Sequence, residues 1–318
     1  MPVPASTSDQ VELLYGRRRP VPWRRWVVAR SVVVGVVAAV GVIVLYVLAV
    51  RTGVGQRFDD AVVIGRFEQR SWFRWSVVVR LTRRSDLPLL VGAAVAFGWA
   101  VWRRRYPQAV AAFVVIGGSF ATTEILKKLV LPRPLLTTTH PFNSYPSGHT
   151  TVAVAVAVGL TLVAPQRWRG RVGVVVGVLA TLVANGTLAI GWHRPSDAIG
   201  ACMVVLAWTG ATVAGLVLVG AASRSEGARA RQLSRGTWVL AAMCVACGIP
   251  GVWQLGDLLR RLRDPSLLAT EELKHLYNTA DLLVLASVTG AVAIALVLLQ
   301  GVTLDRWGAP GRARPPIG

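Results

Sequence analysis

At 318 residues with 53% hydrophobic composition and a positive mean hydropathy, the chain is too apolar for a water-soluble domain of its length. Its formal net charge of +20 is spread over many separate segments with no nucleic-acid module, so a nucleic-acid partner is excluded and anionic lipid is the expected one. Its three cysteines, Cys202, Cys244 and Cys247, fall within apolar runs; they indicate neither a disulfide framework nor a zinc site, and the CxxC spacing of the last two reads as small filling of a helix interface.

Apolar blocks long enough to cross the hydrocarbon core lie at 29–50, 87–103, 107–126, 149–164, 172–192, 196–221, 237–253 and 280–300. The chain therefore reads as an all-α, polytopic integral membrane protein with eight spans, the fourth and seventh the shortest. The first span follows a basic arm, residues 1–28, that carries Arg17, Arg18, Arg19, Arg24 and Arg25. It is longer than a secretory h-region and reads as an uncleaved anchor, with the arm in the cytoplasm. On that orientation the inside segments carry Arg103 to Arg105, then Arg167, Arg169 and Arg171, then Arg224, Arg229, Arg231 and Arg235, and lastly the tail. Residues 51–86 run against this pattern, because they would lie outside yet hold eight Arg against four acids. Within them "RSWFRWSVVVRLTRR" interleaves Trp72, Phe73 and Trp75 with arginine, as in a segment lying among lipid headgroups, with a basic loop as the alternative. The Pro/Gly/Arg-rich tail reads as disordered.

The polar residues gather at one membrane face. Lys127, Lys128 and Arg133 follow the third span, His149 opens the fourth in "NSYPSGHT", and His193 and Asp197 lie between the fifth and sixth in "HRPSD". From His149 to His193 the chain runs one helix down and one helix back, so both imidazoles return to the face that holds Lys127 and Arg133. A carboxylate at Asp197 can fix the tautomer of His193 and leave its other nitrogen as a nucleophile. His149 can protonate a leaving oxygen and later activate water. Lys127, Arg133 and the backbone N–H groups of Ser147 and Gly148 at a helix start would cradle a tetrahedral oxyanion. Ser196 is a possible helix cap, Glu124 an ion-pair partner for the two lysines, and Lys128 a snorkelling side chain. Asn143, Ser144 and Tyr145 are placed at the pocket mouth; His140 and His275 read as loop histidines.

"KKLVLPRP", "YPSGHT" and "GTLAIGWHRPSD" resemble the three motifs of the type 2 phosphatidic acid phosphatase (PAP2) family, Kx6RP, PSGH and SRx5HxxxD. The resemblance implies a six-helix catalytic core over residues 29–221, followed by residues 222–318 with two further transmembrane helices and the basic tail. It implies that Lys127 and Arg133 bind phosphate with Ser147 and Gly148, that His149 is the general acid, that His193 attacks phosphorus, and that Asp197 orients His193. No metal and no cofactor are expected. The implied activity is that of a cell-membrane phosphatase acting at the external face on a lipid phosphate or diphosphate. Polyprenyl-diphosphate hydrolysis and non-enzymatic lipid or phosphate binding or transport remain the alternatives. Two departures stand out: Lys127 precedes Arg133 by one residue fewer than the motif, and Gly186 and Thr187 replace its SR. Another cation such as Arg194 could stand in for the absent arginine, and an arginine restored at Thr187 would supply the missing donor.

Overall fold

The computed structural model describes residues 23–68, 86–137, 142–225, 233–261 and 268–304. These residues form nine α-helices: α1 (Trp23–Leu45), α2 (Gly53–Gly65), α3 (Asp86–Trp102), α4 (Tyr106–Ile125), α5 (Gly148–Val163), α6 (Arg169–Ala189), α7 (Pro195–Leu218), α8 (Arg235–Arg261) and α9 (Thr270–Leu298). Two three-residue strands, β1 (Ala222–Arg224) and β2 (Val302–Leu304), pair antiparallel with Ala222 opposite Leu304 and tie the ends of α7 and α9 together. α1 and α4 each finish in a π turn, Tyr46–Val50 and Leu126–Val130.

Every apolar block of the sequence falls on a helix. Six helical stretches are long and apolar enough to cross a membrane: Trp23–Val50, Tyr106–Val130, Arg169–Ala189, Pro195–Leu218, Arg235–Leu259 and Thr270–Leu298. The apolar part of α3 and the whole of α5 are shorter. The seventh block, expected to be among the shortest, lies in a helix of 27 residues, because α8 continues past its apolar run into the more polar "QLGDLLRR". Many large side chains point outward, among them Val33, Val37, Leu48, Leu129 and Trp253. Lipid, not water, is the solvent that such a surface suits.

The interior is built from small residues that let backbones approach. α1 and α7 cross at Gly35 and Gly210, where a Cβ on Gly210 would fall 2.4 Å from the Ser31 carbonyl oxygen. α9 packs against α2, α6, α7 and α8. It adds Val284, Val288, Val292 and Leu296 to the main core. Arginines close three chain ends at the opposite end from α2: Arg24 donates to Val217 O at 2.8 Å, Arg30 to Leu298 O at 2.9 Å, and Arg169 to Ala164 O and Val302 O at 3.3 and 2.8 Å. Last-turn carbonyls are the natural acceptors for such cations.

The helix α2 has no counterpart in the reading of 51–86 as a loop or interfacial segment. Thirteen residues that include Arg57, Asp59 and Asp60 are too short and too charged to register as a span. The helix starts where Thr52 accepts the Gly55 N–H at 3.0 Å. Residues 1–22, the 69–85 stretch with its Trp/Arg pattern, His140 and the tail from 305 lie outside the described residues.

Candidate active site

Four helix ends meet at one end of the bundle: α4 finishes there, α5 starts, α6 finishes and α7 starts. The turn from α6 to α7 carries the first two site residues. Gly191 takes φ +74°, a left-handed conformation that lets the chain reverse directly after α6. Trp192 and His193 both aim their backbone N–H at the Thr187 carbonyl, at 3.0 and 3.4 Å. Arg194 is the N-cap of α7 and Pro195 opens the helix, a position where the missing N–H costs nothing.

Asp197, fully buried, is fixed from several sides. Its Oδ2 accepts the Ser144 hydroxyl at 2.6 Å and the Arg194 backbone N–H at 2.9 Å, and lies 3.6 Å from His193 Nδ1. Across the site His193 Nε2 is 3.2 Å from His149 Nδ1. The His149 ring also rests 5.2 Å, centroid to centroid, from that of Trp192. With Nδ1 turned to the carboxylate, His193 presents its Nε2 lone pair to the gap it shares with His149.

α5 starts with Ser147 as N-cap, its hydroxyl oxygen accepting the Thr150 N–H at 3.2 Å. The Ser147 backbone N–H, expected in the phosphate cradle, instead donates to the Asp197 carbonyl at 2.9 Å, and the side chain is fully buried. That bond clamps the two histidine-bearing segments together. Of the expected pair of amides, only Gly148 at the mouth of α5 keeps an N–H with no acceptor among the described residues.

The π turn of α4 sets the lysine. It leaves Lys127 18% and Lys128 68% exposed. Lys127 Nζ would lie 3.5 Å from a Cβ on Gly148. Both lysines pair with Glu124, at 2.6 and 2.9 Å. Asn143 holds the turn by donating to the carbonyls of Lys127 and Leu131 at 2.8 and 2.7 Å.

Arg133 follows, its side chain only 2% exposed. Among the described residues its ion-pair carboxylate is Asp59 at 3.8 Å, and neither terminal nitrogen has a hydrogen-bond partner. A buried guanidinium with open N–H groups is a donor set that lacks its acceptor.

α2 supports this arrangement from beneath. Gln56, Asp59 and Asp60 share one face, spaced i, i+3 and i+4. Gln56 donates to Val50 O and Pro134 O, both at 2.7 Å. Asp59 accepts the Ser196 hydroxyl at 2.6 Å; Asp60 accepts the Thr137 hydroxyl and lies 3.8 Å from Arg194 Nε. Ser196, a candidate cap in the sequence, therefore serves as the link between α2 and α7. Burial, and then the charge of Asp197, push the Asp59 carboxyl up to about 7 against the pull of Ser196, Arg133 and Arg194. Burial and the neighbouring Arg194 hold the Arg133 guanidinium below its ordinary value.

Residues 108–220 match the family model described as the PAP2 superfamily. Over this stretch, about a third of its length, the chain is similar to the PAP2 superfamily. Curated proteins and solved structures gave no match. The PAP2-like stretch runs from the start of α4 to just past α7 and so contains all three motif segments. The match supports a phosphatase-type hydrolase in general, on a chain with several helices long and apolar enough to cross a membrane.

Within the PAP2-like stretch, Lys127, Arg133, Gly148, His149, His193 and Asp197 converge at one end, whereas Thr187 stands behind the turn. Thr187 is fully buried, its hydroxyl donating to Ala184 O at 2.7 Å. Arg194, the candidate stand-in cation, already donates from Nη1 to Ser144 Oγ at 3.0 Å and Phe142 O at 3.3 Å. Sequence reasoning missed Ser144 as the clamp on Asp197, and missed Asp59 and Asp60. The one available signal was an adjacent acidic pair in an otherwise basic stretch.

Proposed function

We propose that the chain hydrolyses a phosphate monoester or diphosphate carried by a lipid, through a phosphohistidine on His193. The observation that carries this reading is the 3.2 Å approach of His149 Nδ1 to His193 Nε2 with the Asp197 carboxylate behind the nucleophile. His193 Nε2 attacks phosphorus; an N–P bond forms as the P–O bond to the lipid breaks, and His149 gives its proton to the departing oxygen. Water then attacks the phosphohistidine, His149 takes its proton, and the N–P bond breaks to release phosphate. Asp197 offsets the positive charge that the ring carries while phosphorylated.

Arg133, Lys127 and the Gly148 N–H hold the non-bridging oxygens, and the open N–H groups of Arg133 are the donors that this substrate would satisfy. A lipid suits the position, since the site opens at the end of apolar helices where the bilayer presents its headgroups. The external face is favoured by the clustering of Arg24, Arg30, Arg103 to Arg105 and Arg169 at the other end of the bundle, the side that stays in the cytoplasm.

The test is acid-quench and base-quench trapping with phosphorus-labelled phosphatidic acid, prenyl phosphate and prenyl diphosphate. An acid-labile, base-stable label on wild type that His193→Ala lacks is the expected result. Full turnover by His193→Ala on every lipid would overturn the reading.

A further inference from the structure

The far end of the bundle holds a second cationic cavity. Where α4 starts, α5 ends and α6 starts, a cavity of about 380 Å³ is lined by Arg105, Gln108, Gln166, Arg169 and Thr303 among others. Arg105 also borders an adjoining cavity of about 390 Å³ walled by Trp102, Arg103 and Arg104. The helix from Tyr106 to Lys127, rising 1.5 Å per residue, separates this cavity from the phosphate cradle by about 30 Å.

Its polar groups are incompletely satisfied. Arg169, 7% exposed, uses Nε and Nη1 on two carbonyls and has no carboxylate partner among the described residues. The Arg105 guanidinium has no hydrogen bond or ion pair among the described residues and lies 5.9 Å from the Trp99 ring centroid. Gln108 is 5% exposed; its Nε2 donates to Leu304 O at 2.7 Å, while its Oε1 has no donor. No carboxylate among the described side chains lies at this end; those of α2, α4, α7, α8 and α9 sit toward the other. Buried or half-buried cations without counter-charge call for an anion. The orphan amide oxygen calls for a hydrogen-bond donor on the same ligand.

We propose that this cavity binds the headgroup of an anionic phospholipid, its phosphodiester held by Arg105 and the remaining N–H groups of Arg169, and a headgroup hydroxyl donating to Gln108 Oε1. Phosphatidylglycerol has this chemistry. Phosphatidylcholine lacks both the net charge and the donor, and an ethanolamine ammonium would face the arginines. A free phosphate could meet the same cations, but the cavity opens at the end of membrane-crossing helices beside Trp102, which is 76% exposed, at the depth where headgroups and aromatic side chains meet.

The experiment measures thermal protection of the delipidated full chain in detergent by short-chain phosphatidylglycerol, short-chain phosphatidylcholine or inorganic phosphate. Wild type and Arg133→Gln, whose change is confined to the other end, should both be protected at roughly tenfold lower concentrations of phosphatidylglycerol than of phosphatidylcholine. Arg105→Gln, at a half-exposed position with no bond to lose, should erase that preference. Gln108→Leu should weaken it. Equal protection by the two lipids, or an unchanged preference in Arg105→Gln, would overturn the site. Protection by inorganic phosphate that matches phosphatidylglycerol and is lost in Arg105→Gln would assign the cavity to a soluble anion and overturn the lipid assignment.

Discussion

The hydroxyl of Ser144 and the Nδ1 of His193 converge on one oxygen of Asp197, at 2.6 and 3.6 Å. The longer distance exceeds a hydrogen bond and should shorten once the imidazole carries charge. Asp197→Asn keeps the shape but loses both the charge and the tautomer control, and should lower kcat by about 10³–10⁴-fold. Ser144→Ala frees the carboxylate without removing it and should cost about tenfold, the scale of one charged hydrogen bond. Steady-state kinetics of the two variants decide the order; equal losses would place Ser144 in the chemistry itself.

Asp59 makes the site sensitive to pH. Because its carboxyl is raised to about 7, the unfolded chain ionises first as pH rises. The stability that the protonated group holds below the ordinary carboxylate range is therefore lost between about pH 4 and 7 and changes little above that. Ionisation above 7 also gives Arg133 a full counter-charge that competes with substrate phosphate, among Asp197, Arg194 and Ser196 as the other neighbours. The ratio of the KM of wild type to that of Asp59→Asn should therefore rise from pH 6 to pH 8. A flat ratio would show that Asp59 does not titrate against Arg133.

The helices and the histidines were legible because each leaves a local mark. Apolar blocks marked every described helix that is long and apolar enough to cross a membrane, and PSGH with HxxxD placed His149, His193 and Asp197 at one end from chain direction alone. Asp59 was not legible, since its partners Ser196 and Arg133 are 137 and 74 residues away in sequence and only the tertiary fold brings them close. The Ser147 amide failed for a related reason. A helix-start N–H looks free in sequence, and the Asp197 carbonyl that takes it comes from another helix.

The proposed phosphate cradle consists of Arg133, Lys127 and an amide, and cations of this kind repel a divalent ion rather than hold it. Hydrolysis should persist in EDTA and be inhibited by vanadate, which mimics five-coordinate phosphorus. Loss of phosphate release on chelation, restored by magnesium, would contradict the mechanism.

Orientation can be read by labelling in intact cells. In a background without the native cysteines, Phe142→Cys, at an exposed position beside the site, should react with a membrane-impermeant thiol reagent, and Ser225→Cys, next to the β1–β2 pair, should not. The reverse pattern would put the chemistry in the cytoplasm.

Thr187 offers the sharpest separation between motif and environment. By the motif alone, an arginine there would restore a phosphate donor and raise turnover. The side chain is, however, fully buried behind the turn, its hydroxyl satisfied by Ala184 O, while its own carbonyl holds the N–H groups of Trp192 and His193. A guanidinium forced into that space overpacks the interior, at about 1–3 kcal/mol, and adds a buried cation with no acceptor. Any shift of the Thr187 carbonyl moves His193 directly. Thr187→Arg should therefore lower the thermal midpoint and cut kcat/KM at least about tenfold, through misplacement of the nucleophile. Arg133→Gln, by contrast, should leave the fold intact and remove about 10²–10³ of the rate if the proposed phosphate contact through its buried guanidinium holds. Thermal melts beside kinetics separate the two, since only the first variant should lose both. A Thr187→Arg protein with wild-type stability and a higher kcat/KM would mean that the α6–α7 turn has room for the missing guanidinium and that the site is incomplete without it.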